Sequence, residues 1–330
     1  MRPLSFQLLR ELSHERFTSG TKLAAQFGVS RTLVSEALRE AADAGLGIFS
    51  LTRRGYRLAE PFELLDVTHI RKTLGAKAAR VDIDIVESIV STNSELIARA
   101  SAGAPSGTCL AAEMQTAGRG RRGRAWQSSL GGALTFSLLW RFDKGAPQLG
   151  GLSLIVGLAV LRALRKLGAG RDGDDVQLKW PNDIVSGGRK LGGILIETQG
   201  DMLGPTAAVI GIGLNVQLSA PLKESIDQPA CDVASLMVTP VSRNTLFATV
   251  LAELIAMLDQ FQAGGFTAFK AEWLTAHALQ GKHVNVLAGD GKITHAEVIG
   301  VHDDGSLIVL QHGREMALSS GEVSLRPHRP

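Results

Sequence analysis

Cysteine is nearly absent. Among 330 residues only Cys109 and Cys231 occur, far apart and without the spacing of a metal site or redox pair. The chain therefore has no disulfide framework, and a reducing cytoplasm is the expected compartment. An excess of one charge is missing too. Lysine and arginine number 35 against 32 aspartates and glutamates, a net charge of +3. Composition alone thus argues for no nucleic-acid partner, and any positive field must be local. Long apolar runs are also lacking. The apolar stretch 146–161 is shorter than the roughly 20 residues of a membrane span and runs into Arg162 and Arg165, so it reads as a buried helix. No membrane association is expected. The first residues hold charge and no apolar core of the kind that export signals carry. Internal repeats and low-complexity tracts are absent as well. What the chain does have is 45% hydrophobic residues and enough length for two or three domains.

The most informative run is Gly-Arg-Gly-Arg-Arg-Gly-Arg-Ala-Trp at 118–126. Arginine offers a planar fork of donors that stays charged at any working pH and suits carboxylate and phosphate oxygens. Glycines let backbone approach a ligand closely. Gly118, Gly120 and Gly123 also fit the dinucleotide-binding pattern, with Asp143 at the usual acidic offset of about 20 residues. That pattern needs a helix directly after the glycines, whereas 133–140 alternates Leu134, Phe136 and Leu138 with small residues, a strand signal. The dinucleotide reading fails on this point. A solvated basic loop remains the plain alternative for the run taken alone.

The expected fold class is α+β in three parts, residues 1–65, 66–277 and 278–330. In the first, helices at 5–12, 19–27 and from 31 onward surround a Gly28-Val29-Ser30 turn, with Ser19 and Ser30 as caps. Strands 48–51 and 56–58 then form a wing, giving a winged helix-turn-helix. Its third helix exposes Arg31, Thr32, Ser35, Glu36 and Arg39, and the wing adds Arg53, Arg54 and Arg57. Ser30, Arg31, Thr32, Ser35, Arg39, Arg53 and Arg54 are the candidate DNA contacts. Glu36 and Glu40 repel phosphate, so a protein-contact role stays open. The middle part alternates strands (108–113, 133–140, 176–179, 193–197, 209–216) with helices (93–102, 152–167, 245–261). The last part reads as a small antiparallel barrel, with strands 283–287, 293–301 and 307–310 and turns at Asp290-Gly291, Asp304-Gly305 and His312-Gly313.

Five polar clusters punctuate the middle part. Ser91-Thr92-Asn93-Ser94-Glu95 opens a helix, and Thr92 with Glu95 reads as a capping box. Gln115 stands three residues before the arginine run. Lys179-Trp180-Pro181-Asn182-Asp183 ends a strand, 188–197 carries Lys190 and Gly193 into the next, and 211–216 ends another at Asn215. Each alone is more often structural.

As an ordered series, STN, Q-x-x-GRGRRGR-x-W, KWPND, RKLGGILIE and GIGLNV resembles the biotin protein ligases, and the flanking winged helix and small barrel resemble the ligases that also act as repressors. The resemblance implies a central mixed α/β catalytic domain of the biotin/lipoate ligase type with an SH3-like barrel behind it. It implies that biotin and ATP, with Mg²⁺, give biotinyl-adenylate. The biotinyl group then passes to a lysine of the biotin carboxyl carrier protein of acetyl-CoA carboxylase. On this basis Lys190, Arg121, Asp183 and Lys179 are expected to carry catalysis. Ser91, Thr92, Asn93, Gln115, Gly118, Arg119, Gly120, Arg121, Lys190, Gly193, Asn182 and Asn215 are expected to bind biotin and nucleotide, and no protein-held metal is expected. The family further implies a homodimer when adenylate-bound and operator DNA as partner. A lipoate or other acyl-adenylate ligase and a repressor that merely senses the adenylate are the competing readings.

Overall fold

A computed structural model describes residues 1–170, 175–200, 204–288, 293–319 and 323–327. The N-terminal segment folds as α1 (Pro3–Arg10), α2 (Gly20–Phe27), α3 (Arg31–Asp43), β1 (Ile48–Leu51) and β2 (Gly55–Leu58). Pro3 starts α1 because its fixed φ suits the first helical turn and its missing N–H is not needed there. Gly28 ends α2 in the left-handed conformation at φ 65°, and Ser30 opens α3 by accepting the Leu33 N–H at 3.1 Å. Ser19 stands at the cap position of α2 without making the side-chain bond. Val34, Ala37, Leu38 and Ala41 line the buried face of α3, as the helical period requires.

The middle of the chain adds α4 (Val67–Leu74), β3 (Asp82–Ile89), α5 (Thr92–Ser101), β4 (Thr108–Gln115), β5 (Ala133–Phe142), α6 (Leu152–Lys166), β6 (Val176–Lys179), β7 (Asp183–Ser186), β8 (Arg189–Gly200), β9 (Thr206–Asn215), α7 (Ala220–Ser225), α8 (Arg243–Gly264) and α9 (Lys270–Ala276). Its seven strands lie in the order β3-β4-β5-β9-β8-β7-β6. Only β3 and β4 run parallel; the other neighbours are antiparallel. Helices α6 and α8 pack with α4 over one face around Phe136, Leu138, Ile210 and Ile212, while α5 covers Leu110, Leu139 and Val209 on the other. By length and composition, 146–166 and α8 would both qualify as membrane spans, but most of each is buried among core side chains.

The last strands, β10 (His283–Ala288), β11 (Ile293–Val301), β12 (Leu307–Gln311), β13 (Arg314–Leu318) and β14 (Val323–Pro327), form an antiparallel sheet in the order β13-β12-β11-β10-β14. The turns at Asp304-Gly305 and His312-Gly313 are present, with Gly305 and Gly313 at positive φ. The expected Asp290-Gly291 turn lies outside the described residues. Apolar residues of this sheet, such as Val284, Val298 and Leu307, continue the main core.

Two junctions fix these parts together. Leu130, from the segment after the arginine run, is 3% exposed and buried in the winged-helix core, next to a close approach of Gly131 to Phe62. The linker is clasped by the start of α8. Glu63 accepts the Arg243 N–H, Asn244 bonds Leu64 O and Asp66 N, and Glu113 accepts the Leu65 N–H. At the other end, Gly150-Gly151 meets Asp304-Gly305 backbone to backbone, so that a Cβ on Gly305 would stand 2.5 Å from Gly151. The Trp180 indole N–H donates to Gly305 O at 3.0 Å beside this seat.

Candidate active site

The start of α5 forms one wall. Ser91, not Thr92, is the cap: its hydroxyl accepts the Ser94 N–H at 3.4 Å, and Glu95 turns to Arg99 instead of closing a capping box. The register is one residue earlier than expected because Thr92 and Asn93 are needed inside, at 3% and 4% exposure. The Thr92 N–H donates to Gln115 Oε1 at 2.8 Å, and its hydroxyl lies 2.7 Å from that of Ser137. Ser137 donates to Asn93 Oδ1 at 2.6 Å, while Asn93 Nδ2 donates to Leu195 O and to Glu197 Oε2. A buried polar group without partners costs about 1–3 kcal/mol, so this closed network fixes each side chain. Gly211 makes room for it, since a Cβ there would stand 2.2 Å from Asn93 Oδ1.

The arginine run is a loop closed on itself. Gly120 N–H donates to Arg124 O at 2.7 Å and Trp126 N–H to Gly118 O at 2.8 Å. Arg122 takes the left-handed conformation at φ 56°. Arg119 pairs with Glu197 and donates to Ser94 Oγ at 3.0 Å. Arg121 reaches inward and donates to Asn182 Oδ1 at 3.0 Å. Burial, and then the like charge of Arg122, lower its pKa, with Asp183 opposing the shift. A partly buried cation of this kind is less well solvated than one at the open surface, and a nearby anion stabilises it. Trp126 lies over Gly213, where a Cβ would meet the indole at 2.7 Å, and its buried N–H has no partner among the described residues.

The third wall comes from β6, β7 and β8. Lys179 ends β6, a cis Trp180–Pro181 bond turns the chain, and Asn182 is locked to Ile194 by two bonds of 2.8 and 2.9 Å. Asp183 begins β7 and pairs with Lys190 of β8, Oδ1 to Nζ 2.7 Å, across a bulge between Ile184 and Val185. Ser91, Thr92, Asn93, Gln115, Arg119, Gly120, Arg121, Lys179, Asn182, Asp183, Lys190 and Gly193 thus line one cleft, with Phe136, Trp126 and Ile212 as apolar surface and Leu325 reaching in from β14. Gly118 and Asn215 stand outside that lining. Asn215 is buried, and its Nδ2 donates to Lys190 O and Cys231 O, which holds the main chain at Lys190.

A cleft with a closed amide and hydroxyl network at one end and converging cations at the other suits a polar head group whose carboxylate meets a phosphate. The comparisons agree. Residues 86–215 match the Biotin/lipoate A/B protein ligase family, 5–57 an HTH domain and 280–326 the Biotin protein ligase C terminal domain. The chain is 34% identical over 319 residues to the bifunctional ligase/repressor BirA of Salmonella typhimurium, covering 97% of this chain and 96% of that one. It belongs to the biotin protein ligases. The Mycobacterium tuberculosis biotin–[acetyl-CoA-carboxylase] ligase is 35% identical over 262 residues, 78% of this chain and 95% of that protein. A structure of the Aquifex aeolicus biotin protein ligase in complex with biotin and ATP aligns with a TM-score of 0.62 at 27% identity, over 75% of this ligase and 99% of that chain.

On the winged helix of this ligase, Ser30, Arg31, Thr32, Ser35 and Arg39 are exposed along α3, and Arg53 and Arg54 are exposed at the wing turn. Arg57 is different. It lies between the Phe17 and Phe49 rings, 5.3 and 5.0 Å from their centroids, and donates to His14 O. Sequence reading missed Ser137 and gave Glu197, Gly211 and Gly213 no role beyond their place in the motifs. Two hydroxyls, Thr135 and Ser137, in the otherwise apolar stretch 133–140 were the available signal for Ser137.

Proposed function

We propose that this ligase joins biotin to AMP in the cleft and passes the biotinyl group to a lysine of a biotin carboxyl carrier protein, as in acetyl-CoA carboxylase. The observation that carries this is the meeting of Lys190, Arg121 and Asp183 with the Thr92–Asn93–Gln115–Ser137 network in one cleft. In the first step a biotin carboxylate oxygen attacks the α-phosphorus of ATP and the bond to pyrophosphate breaks. Two anions meet there, so fixed cations lower the barrier. Lys190, Arg121, Arg119 and Lys179 supply them. Ser91, Thr92, Asn93 and Gln115 read the ureido head and carboxylate side of biotin, with Gly118, Gly120 and Gly193 allowing close approach. Asn182 and Asn215 face the nucleotide side, Asn215 through the backbone it holds.

In the second step the acceptor amine attacks the acyl carbon and AMP leaves. Lys190 and Asp183 neutralise each other in the empty cleft; as substrates draw Lys190 to their oxygens, Asp183 is released to receive the acceptor ammonium, whose free pKa is about 10.4. Among the described residues no group of three or more His, Cys, Asp or Glu could hold a metal ion. In this reading Mg²⁺ comes in on the phosphates of ATP.

The division at residues 1–65, 66–277 and 278–330 belongs to the same reading, as do a cytoplasmic setting and a homodimer when adenylate is bound. The winged helix addresses an operator in DNA, through Ser30, Arg31, Thr32, Ser35 and Arg39 on α3 and Arg53 and Arg54 on the wing.

The decisive experiment is biotin-dependent exchange of labelled pyrophosphate into ATP, with lipoate and octanoate as controls and a carrier domain added afterwards. Exchange with biotin alone, followed by carrier labelling, is the expected result. Tight biotin binding without exchange would overturn the ligase reading in favour of a sensor.

A further inference from the structure

The third helix carries more carboxylates than cations, with Asp43 at its C-terminal end and two more within its length. Arg31 and Arg39 stand against Glu36 and Glu40. Taken as drawn in the sequence, such a face gives a phosphate backbone no net attraction. The structure gives both carboxylates a partner from outside the helix-turn-helix itself. Arg2, the residue before α1, sets its guanidinium 2.7 Å from Glu40 Oε1 and 3.5 Å from Glu36 Oε2. The Arg2 backbone N–H and the Ser5 hydroxyl take the other Glu40 oxygen at 3.0 and 3.1 Å. Glu40 is thereby tied to the residue that precedes α1 and to a hydroxyl of its first turn. Its carboxyl is held below the usual range, first by the Arg2 backbone bond and then by the guanidinium.

We propose that Arg2 is a positioning residue for DNA recognition: it fixes Glu40 against the start of α1 and screens Glu36, so that the body of α3 ahead of Asp43 meets phosphates with Arg31 and Arg39 and with both of its carboxylates partnered. Glu36 keeps one oxygen outside this clasp, which leaves it able to accept from a base-edge amino group in the major groove. The inference rests on the DNA-binding reading of the winged helix. It adds a residue that the helix-turn-helix pattern does not contain, and a reason why a nearly neutral segment engages a polyanion.

The test uses the full chain with biotin and ATP, and a duplex that this chain selects from a random-sequence library. Arg2→Gln removes the charge and keeps the backbone N–H on Glu40; its affinity for that duplex falls about fivefold at low salt, the scale of a charge uncovered a few ångströms from phosphate in water. The deficit shrinks as salt is added. Arg2→Lys keeps most of the affinity. Adding Glu36→Gln and Glu40→Gln to Arg2→Gln restores binding, because the charges that Arg2 covers are then gone while the carboxamide oxygen at position 40 still accepts the backbone N–H of residue 2. Pyrophosphate exchange and the unfolding midpoint stay near wild type in all variants, which separates a charge effect from a misfolded head. Wild-type binding by Arg2→Gln overturns the inference. Failure of the carboxamide pair to restore binding overturns it as well, since Arg2 then acts by touching phosphate itself. If the full chain selects no duplex, the DNA-binding reading falls and the inference falls with it.

Discussion

Two carboxylate–cation pairs in this ligase have similar geometry and opposite roles. Glu113 and Arg243 meet at 2.8 Å with side chains 2% and 5% exposed, and Lys190 and Asp183 meet at 2.7 Å at 21% and 23%. Around the first pair other bonds close in. Glu113 also accepts the Leu65 N–H, and Arg243 donates to Glu63 O and Ala133 O. Removing either partner strands a buried charge, the costly case for an ion pair. The second pair opens onto a cleft lined by Arg121 and Lys179, and in the proposed mechanism its partners separate. Distance alone does not separate a clasp from an exchangeable contact; the surrounding bonds do.

The sharpest break of this comparison is Lys190→Ala. It should cut pyrophosphate exchange by at least about 1,000-fold, the scale of a lost transition-state charge contact, while urea unfolding shifts by less than about 1 kcal/mol. Exchange above a tenth of wild type would refute the role given to Lys190. Glu113→Ala should behave in the reverse sense, losing about 3–5 kcal/mol of stability in the same urea titration, with exchange per folded molecule largely kept. Leu130→Ala removes a buried side chain at the joint between the parts and should cost about 2–4 kcal/mol, read best as faster hydrogen exchange in α1 and α3. The smallest effect is expected for Arg121→Ala. Release of adenylate without a carrier, followed by rapid quench, should rise about 10- to 100-fold through a looser arginine loop, with the fold intact. An unchanged rate would mean that the loop closes without Arg121.

Most of the interior was readable from the sequence because its strands and helices are apolar on strict periods. The strand expected at 133–140 is β5, that at 176–179 is β6, and the helix expected at 152–167 is α6, each within a residue or two. Strand β3 was not seen. It lies at the sheet edge, and although Asp82-Ile83-Asp84-Ile85 alternates polar with apolar, the pattern breaks at Val86-Glu87-Ser88. Strand β13 escaped for a similar reason: its first four residues are exposed and Arg-Glu-Met-Ala shows no period. In the cleft, the residues expected from the ordered motifs gather at one place, yet their partners could not be read. Which of Ser91 and Thr92 caps α5 depends on Ser137 and Gln115, both remote in sequence. That Asn215 would hold backbone instead of lining the cleft depends on a segment near Cys231 that no pattern links to it.

The seat between Gly150-Gly151 and Asp304-Gly305 has a further meaning in terms of tolerance. Where two bodies meet through side chains, rotamers act as shims and absorb small errors of fit. At this seat main chain rests on main chain, so this one point of the joint has no adjustable layer, while the side chains of Val284, Val298 and Leu307 pack elsewhere in it. The Trp180 indole, bonded to Gly305 O, passes that datum directly to the residues that carry Asn182 and Asp183. At the seat the C-terminal sheet therefore acts as a fixed stop, and an added methyl there has to be taken up by movement of main chain.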